Sequence, residues 1–480
     1  MELSKEIGIT VKKNENFSEW YTQTVLKAQL ADYAPVKGLI VLRPYGYSIW
    51  ESLKSSLDQK LKATGHENGF LPVLIPESLL SKESDHFAGF TPEVFWVTHS
   101  GETEIGDKLA LRPTSEALAY SMYSKWIKSW RDLPLKINFW NTALRAEIKA
   151  TKPFLRTSEF LWQEGHTVHT TKEEAENEVT AILDMYKKTV EEELAIPVIT
   201  GRKSEKEKFV GAVYTTTMES IMPDGKALQM GTSHLISQSF AKSFGMTFQD
   251  RSGQVAYPYL TSWAVTTRLV GALVMSHGDQ KGLVIPPKIA PIQVVIIPIW
   301  KDDTAQSDMI SYAKNVMDVC SCRVHIDIRD YMTVGEKFYE WEKKGVPVRI
   351  EVGAREKENQ TVSLVRRDTG DKQSIAMSNL SAFIPSFLED IQRSLFERAE
   401  AFLRAHTVEI DNYTEFQRAL DEHPGFFYTH WCGSAECEKR VHDETKATIR
   451  CIPFNQKKKK GKCMVCGADT DIVAVFAKAY

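Results

Sequence analysis

Arg145 and Glu147 stand two residues apart, and after a short loop come Arg156, Thr157, Phe160, Trp162, Glu164 and His166. On a strand, residues i and i+2 share a face. Arg145 and Glu147 would then present a planar guanidinium fork beside a carboxylate. The fork suits phosphate oxygens, and the carboxylate can accept a hydrogen bond from an amino group. Arg156, four residues before Phe160, offers a second phosphate contact while the ring stacks on a base. An isolated Arg-x-Glu would be read as a surface ion pair. The whole string is far more specific and points to a nucleotide.

A second constellation lies near the C-terminus. Cys432 and Cys437 are followed by Cys463 and Cys466, and Cys463-Met464-Val465-Cys466-Gly467 has the form of a zinc-knuckle turn. Four thiolates complete a closed tetrahedral Zn²⁺ site, which leaves no open position for catalysis. Cys451, between the pairs, is the alternative ligand and is read as a core residue; Cys320 and Cys322 read as structural. The odd total of seven Cys, four of them in close pairs, suits metal in a reducing compartment better than a disulfide framework. The opening Met1-Glu2-Leu3-Ser4-Lys5 has neither an apolar run nor a cleavage site, and no stretch is long enough to span a membrane, so a cytoplasmic protein without a membrane partner is expected.

These residues need elements to position them. Ile49, Leu53, Leu57 and Leu61 recur every fourth residue ahead of Gly65, predicting a helix with one apolar face. Thr171 and Glu174 form a capping-box pattern opening a second helix, with apolar residues from Ala175 to Leu194 and Pro197 at its end. After Pro286-Pro287, strand-like segments at 291–300, 323–328, 347–352 and 361–365 alternate with helical ones, predicting a small α/β sheet closed by a helix over 380–403. A third region, 406–480, carries the cysteine pairs, Lys457 to Lys460 and a β-rich end at Tyr480. Net charge is −3, so any RNA contact must rest on local patches; the lysine run reads as a solvated loop before a phosphate contact.

The string from Arg145 to His166 resembles motif 2 of the class II aminoacyl-tRNA synthetases. Motif 1 is similar to the helix at 46–62 with a strand ending at Pro72. Motif 3 is similar to Ser262-Trp263-Ala264-Val265-Thr266-Thr267-Arg268. Ala264 stands where the family often has Gly; it is still small. Arg112-Pro113-Thr114-Ser115-Glu116 resembles the proline-binding loop of prolyl-tRNA synthetases. Gly231-Thr232-Ser233-His234 and His277-Gly278-Asp279 also match those enzymes. Trp341 to Gly353 resembles their anticodon-binding domain, and the four Cys their zinc domain. The resemblance covers nearly the whole chain and is closest to the archaeal and eukaryotic type. Roughly a hundred residues between motifs 2 and 3 leave no room for the bacterial editing insertion.

The resemblance implies an α+β catalytic domain on an antiparallel sheet over 1–288. An α/β anticodon-binding domain over 289–404 and a small zinc-binding α+β domain over 405–480 would follow. It implies activation of L-proline by ATP with Mg²⁺, release of pyrophosphate and transfer to tRNA(Pro), in a homodimer built by motif 1, with no DNA partner. Arg145 and Arg268 would be the catalytic pair. Arg145, Glu147, Arg156, Thr157, Phe160, Gln229, Thr232 and Arg268 would hold ATP. Thr114, Glu116, Arg145, Trp162, Glu164, His166 and Ser262 would line the proline pocket. Glu342, Arg349, Arg355 and Glu356 would read the anticodon, and Tyr480 matches the terminal tyrosine whose carboxylate reaches towards the site in relatives. The physical logic agrees. A secondary ammonium on an apolar ring wants an acceptor and an aromatic wall, and charge building on phosphate oxygens wants fixed arginines and Mg²⁺ rather than a protein nucleophile. Two other readings share features: a threonyl-like synthetase of the same subclass, against which the Arg112–Glu116 loop, the four Cys and Tyr480 argue, and a non-catalytic RNA-binding paralogue, which would be expected to lack an ATP-binding arginine.

Overall fold

The structure is a computed structural model describing residues 8–84, 93–146, 150–456 and 460–480. The catalytic part begins with helices α1 (Phe17–Lys27) and α2 (Pro44–Ala63), strand β1 (Glu67–Gly69) and helix α3 (Glu116–Trp126). Strands β2 (Leu135–Leu144) and β3 (Glu159–His169), helix α4 (Lys172–Glu193), strands β4 (Ile199–Arg202), β5 (Tyr214–Ile221), β6 (Ala227–Ser237) and β7 (Tyr259–Thr266), and helix α5 (Arg268–His277) follow. The predicted face of α2 is buried: Ile49, Leu53, Leu57 and Leu61 pack in one cluster with Ile182, Leu183, Tyr186, Val190 and Leu194 of α4 and with Trp263 and Val265 of β7. Each such side chain contributes roughly 1.5–3 kcal/mol by leaving water. Gly65, at φ +82°, follows α2 and takes the left-handed turn that ends it. The capping box is present: Thr171 Oγ1 accepts from Glu174 N–H at 3.2 Å, and Glu174 Oε2 accepts from Thr171 N–H at 3.2 Å. The motif 1 strand is shorter than expected, since β1 stops at Gly69 rather than running to Pro72.

The α/β part contains β8 (Val294–Pro298), α6 (Asp303–Asp318), β9 (Val324–Ile326), α7 (Val334–Lys343), β10 (Val348–Val352), β11 (Thr361–Arg366), β12 (Lys372–Ala376) and the long α8 (Leu380–Ala405). Its sheet has the order β9-β8-β10-β11-β12, parallel through β10 and antiparallel beyond. The two crossovers are α6 and α7, as the alternating pattern required.

The last part supplies β13 (Thr407–Glu409), β14 (Phe426–His430), β15 (Thr448–Pro453) and β16 (Val473–Ala477). These strands do not form a sheet of their own. One eleven-stranded sheet runs β13-β14-β16-β15-β4-β5-β6-β7-β3-β2-β1, antiparallel except at its two ends. The seam is the pair β15–β4, with Ile452 opposite Arg202 and Pro453 opposite Gly201. A Cβ on Gly201 would lie 2.4 Å from the Ile452 carbonyl oxygen, so the close approach needs glycine. Buried charges lock the same seam. Glu219 on β5 meets Lys203 at 2.8 Å and Arg450 of β15 at 2.8 Å, and Ser204 Oγ donates to Glu438 at 2.7 Å.

Candidate active site

Strand alternation does most of the positioning. Phe160, Trp162, Glu164 and His166 fall on one face of β3. The registers then set them in rows across the sheet. Trp162 lies between Asn141 and Thr266; Glu164 lies beside Ala264, which faces Thr232; His166 lies beside Ser262, which faces His234. Trp263 points to the opposite face, and it fits there because residue 165 is glycine: a Cβ would sit about 2.0 Å from the indole.

Above these rows opens a cavity of about 980 Å³. Arg145, Arg156, Thr157, Phe160, Trp162, Gln229, Thr232 and Arg268 all line it, so the motif 2 loop, β6 and the start of α5 converge. Glu147 lies outside the described residues. Arg145 donates through Nε to the Pro113 carbonyl at 3.2 Å, and its guanidinium carbon lies 5.3 Å from the Phe160 ring centroid. Arg268 is the first residue of α5; its N–H donates to Thr266 Oγ1 at 3.0 Å and its Nη1 to the Gln229 carbonyl at 3.4 Å. Burial lowers the Arg268 guanidinium to about 10; Glu219 opposes this, and the like charges of Arg145, Arg450 and Arg156 add to it. Three arginines give this end of the cavity a charge that suits an anion.

The remaining residues of the expected proline pocket, Thr114, Glu116, Glu164, His166 and Ser262, are buried and do not line the cavity. Glu116, at the start of α3, accepts from Thr114 Oγ1 on Oε2 and from Ser262 Oγ on Oε1 at 3.0 Å. Glu164 accepts from Ser115 Oγ and, at 3.2 Å, from Asn141 Nδ2 on Oε1, while Oε2 pairs with His166 Nε2 at 3.2 Å. Burial alone would depress His166, but the Glu164 hydrogen bond and the charges of Glu116 and Glu164 raise it above its ordinary value. His234 is the contrast. Among the described residues its ring is hydrogen-bonded to the Thr215 and Thr232 hydroxyls, at 2.8 and 3.0 Å, and burial holds it down to about 4, hence neutral. The charge of Arg112 also acts on Glu164 and His166, but its hydrogen bonds go to the carbonyls of Leu71, Pro72 and Thr142 rather than to either carboxylate. The buried Trp162 Nε1 has no partner among the described residues.

Several lining residues had no signal in the sequence. Phe17 and Tyr21 come from α1, Lys152 from the loop, Asp224 and Lys226 from the turn before β6. Tyr480 also lines the cavity. Its N–H donates to the Ala227 carbonyl at 3.2 Å and its ring lies 5.3 Å from Lys226 Nζ, so the chain end is pinned by backbone pairing at the edge of β6. His277 and Asp279 do not reach the cavity. His277 bonds the Leu194 carbonyl at 2.7 Å, and Asp279 pairs with Arg367 of the α/β part.

Among the anticodon candidates, Glu342 and Arg349 line one small pocket with Trp341 and Arg367. Arg349 is held by Glu351 at 2.9 Å and lies 4.0 Å from the Phe338 ring centroid. Arg355 and Glu356 sit past the other end of β10; Glu356 accepts from Gly353 N–H at 3.1 Å. The Sγ atoms of Cys432, Cys437, Cys463 and Cys466 all lie within 4.8 Å of one another, Cys432 being 3.6 Å from Cys437 and 3.7 Å from Cys466. Four ligands at the usual Zn–S length of about 2.3 Å would stand roughly 3.8 Å apart, so the donor set fits zinc. Cys451 is outside this cluster, fully buried beside Gly201, with burial pushing its thiol up to about 12. Lys457 to Lys459 lie outside the described residues.

Three family models match successive parts of the chain. They are the tRNA synthetase class II core domain (G, H, P, S and T) over 95–277, the anticodon binding domain over 293–386, and the prolyl-tRNA synthetase C-terminal domain over 413–480. The proline–tRNA ligase of Cenarchaeum symbiosum is 57% identical over 478 residues, 99% of this chain and 100% of that one. Proline–tRNA ligase 2 of Clostridioides difficile is 49% identical, covering 98% and 97%. The crystal structure of prolyl-tRNA synthetase from Cryptosporidium parvum, complexed with halofuginone and AMPPNP, superposes with a TM-score of 0.95 at 40% identity, over 99% of this chain and 100% of that one. Full-length identity at this level, on the same three-part chain and with the motif residues gathered around one cavity, means that the chain belongs to the archaeal and eukaryotic type of class II prolyl-tRNA synthetases and is a proline–tRNA ligase.

Proposed function

We propose the following division of labour within this ligase. The carrying observation is that three arginines wall one cavity, while Glu164, on the same strand face as the lining Trp162 and beside the lining Ala264, belongs to a buried carboxylate cluster with Glu116 and His166. ATP lies in the cavity with its base on Phe160 and its phosphates against Arg145, Arg156 and Arg268, while Thr157, Gln229 and Thr232 contact the nucleotide and Glu147 reads the adenine amino group. The AMPPNP complex of the Cryptosporidium parvum relative supports an adenine nucleotide here. The prolyl ammonium is drawn to Glu116 and Glu164, and the ring packs on Trp162; Thr114 and Ser262 hold Glu116, and His166 holds Glu164. Arg145, reaching from Pro113 to Phe160, faces both substrates. Attack of the prolyl carboxylate on the α-phosphorus then needs no protein nucleophile: the arginines are fixed before charge develops, so little reorganisation opposes it. Asp224 is a lining carboxylate that suits Mg²⁺, which usually takes one or two carboxylates together with phosphates and would supply charge neutralisation.

The four Cys would hold a structural Zn²⁺ that ties the 432–437 turn to the 463–466 turn. Glu342 and Arg349 with Arg355 and Glu356 read the anticodon from the two ends of β10. The functional parts are 1–288, 289–404 and 405–480, the last sharing the catalytic sheet. A homodimer is supported by apolar side chains left exposed after α2: Phe70 at 82%, with Val73, Leu74 and Trp96. Unpaired thiols support a cytoplasmic location; among the described residues no helix is long and apolar enough to cross a membrane.

Proline-dependent pyrophosphate exchange tests the assignment. Arg268→Ala is expected to lower the exchange rate by roughly 10²–10³-fold, the range for removing one fixed donor to developing charge. Glu116→Gln is expected to raise the KM for proline and leave that for ATP near its original value. Unchanged exchange in Arg268→Ala would remove the motif 3 arginine from the site.

A further inference from the structure

Helix α5 carries Arg268 at its first residue and ends at His277-Gly278-Asp279, about 15 Å away for ten residues. At that end it meets the α/β part. Arg367, buried just beyond β11, donates through Nη1 and Nη2 to the two Asp279 oxygens at 2.7 and 2.6 Å. Its Nε donates to the Glu342 backbone carbonyl at 2.7 Å, and the Glu342 carboxylate takes Lys281 Nζ at 2.7 Å. Arg367 lines the same small pocket as Glu342 and Arg349. One guanidinium therefore grips both the end of α5 and an anticodon candidate.

The catalytic side of this joint is equally constrained. The Asp279 carbonyl accepts from Trp20 Nε1 at 2.8 Å, and Lys13 Nζ donates to the carbonyls of Gly278 at 2.6 Å and Met275 at 2.9 Å. Gly278 has no room for a side chain: a Cβ would lie 2.6 Å from the Val274 carbonyl oxygen and 3.0 Å from the Trp20 ring. Next to Trp20 on α1, buried Tyr21 donates to the Pro153 carbonyl at 2.6 Å, and Lys152 Nζ donates to the Ser18 carbonyl at 2.9 Å. Both contacts hold the loop that carries Arg156. Two packed routes thus leave Arg367: along α5 to Arg268, and across α1 to the motif 2 loop.

We propose that Asp279 and Arg367 are positioning residues that transmit anticodon contact at Glu342 and Arg349 to the arginines of the adenylation cavity. The proposal rests on the anticodon role assigned above to Glu342 and Arg349. A bidentate carboxylate–guanidinium pair fixes orientation as well as distance, and close-packed neighbours pass a small displacement on rather than absorb it. An anticodon that shifts Glu342 moves its carbonyl, Arg367 and the α5 terminus as one unit.

Asp279→Asn keeps the shape and removes the charge; Arg367→Lys keeps the charge and removes the fork. Each full-length variant is assayed for tRNA-free, proline-dependent pyrophosphate exchange and for aminoacylation of tRNA(Pro) transcripts with native and with base-substituted anticodons. Exchange is expected to stay within about twofold of the parent. The native-to-substituted ratio of kcat/KM is expected to fall by roughly fivefold or more, within the usual 5–150-fold range of coupling between sites, and through kcat. An unchanged ratio overturns the proposal, as does a parallel fall in exchange and aminoacylation with the ratio intact, since a merely structural contact behaves that way. A parent enzyme indifferent to anticodon substitution overturns it too, and that arm alone also rejects the anticodon reading.

Discussion

Replacing Arg450 by methionine probes the seam that joins the chain end to the catalytic sheet. Glu219 has no exposed surface. Its Oε1 meets Lys203 Nζ at 2.8 Å and Thr217 Oγ1 at 2.9 Å, and its Oε2 accepts from Arg450 Nε at 3.0 Å and Nη2 at 2.8 Å. Burial pushes the carboxyl up, but Lys203 and Arg450 outweigh it and hold the group below its ordinary value. In Arg450→Met, Lys203 still balances Glu219, so no net charge is stranded. What is lost is a pair of charge-assisted hydrogen bonds, each worth roughly 1.5–3 kcal/mol, partly offset because methionine fills the space of the arginine stem. The expected cost is about 2–4 kcal/mol. Glu219→Gln is worse, because it leaves Lys203 and Arg450 buried without their shared anion; removing one partner of a buried pair costs about 3–5 kcal/mol, and here one substitution disrupts two pairs. Lys203, already lowered by burial, would be lowered further without the Glu219 charge that raises it. Urea unfolding followed by tryptophan fluorescence reads the difference. The urea m value grows with the surface exposed on unfolding and is about 5 kcal/mol/M for a chain of 480 residues, so Arg450→Met moves the midpoint down by roughly 0.4–0.8 M and Glu219→Gln by more. A shift below about 0.3 M for Arg450→Met, or the reverse order of the two variants, would refute the view that this cluster holds the seam.

Two further perturbations test other parts of the molecule. Burial pushes Glu178 up, but hydrogen bonds from His66 and Lys136, at 2.7 and 2.6 Å, outweigh it and hold the carboxyl down to about 2. A carboxylate depressed in the folded state contributes stability that is whole above its unfolded value and lost as pH falls through the folded one. Glu178→Gln should therefore cost about 3 kcal/mol at pH 7, and the gap to the parent should close between about pH 5 and pH 2; a gap that does not change with pH would contradict the pairing. Metal analysis of protein purified without chelator should find about one zinc per chain, lost in Cys466→Ser together with a lower melting temperature, since metal binding free energy is folding free energy in such sites; a zinc-free parent with the same melt would remove the metal from the account.

The local patterns in the sequence were sufficient for the parts that depend on local geometry. A four-residue apolar repeat must bury one helix face, and Ile49, Leu53, Leu57 and Leu61 do so. Thr171 and Glu174 satisfy each other because three residues is the reach of a capping box. Phe160, Trp162, Glu164 and His166 share a face because strand side chains alternate. Two Cys three positions apart with Gly after them bring their sulfurs to the same point.

What tertiary structure alone decided lies between segments far apart in the chain. Glu219 and Arg450 are 231 residues apart, and neither carries a local mark of the other. Asp279 follows a motif helix, yet its partner is Arg367 in the next part of the chain rather than substrate. Tyr21 enters the cavity wall only because α1 packs on α5 and on the motif 2 loop. The cysteine-bearing region reads as a separate domain because its composition changes there, whereas β15 pairs with β4 across an edge that composition does not record. Periodicity and capping depend on residues a few positions apart, so they are written in the sequence. Strand order, buried ion partners and the closing of a cavity depend on which surfaces meet once the chain has packed, and that is settled by the whole fold.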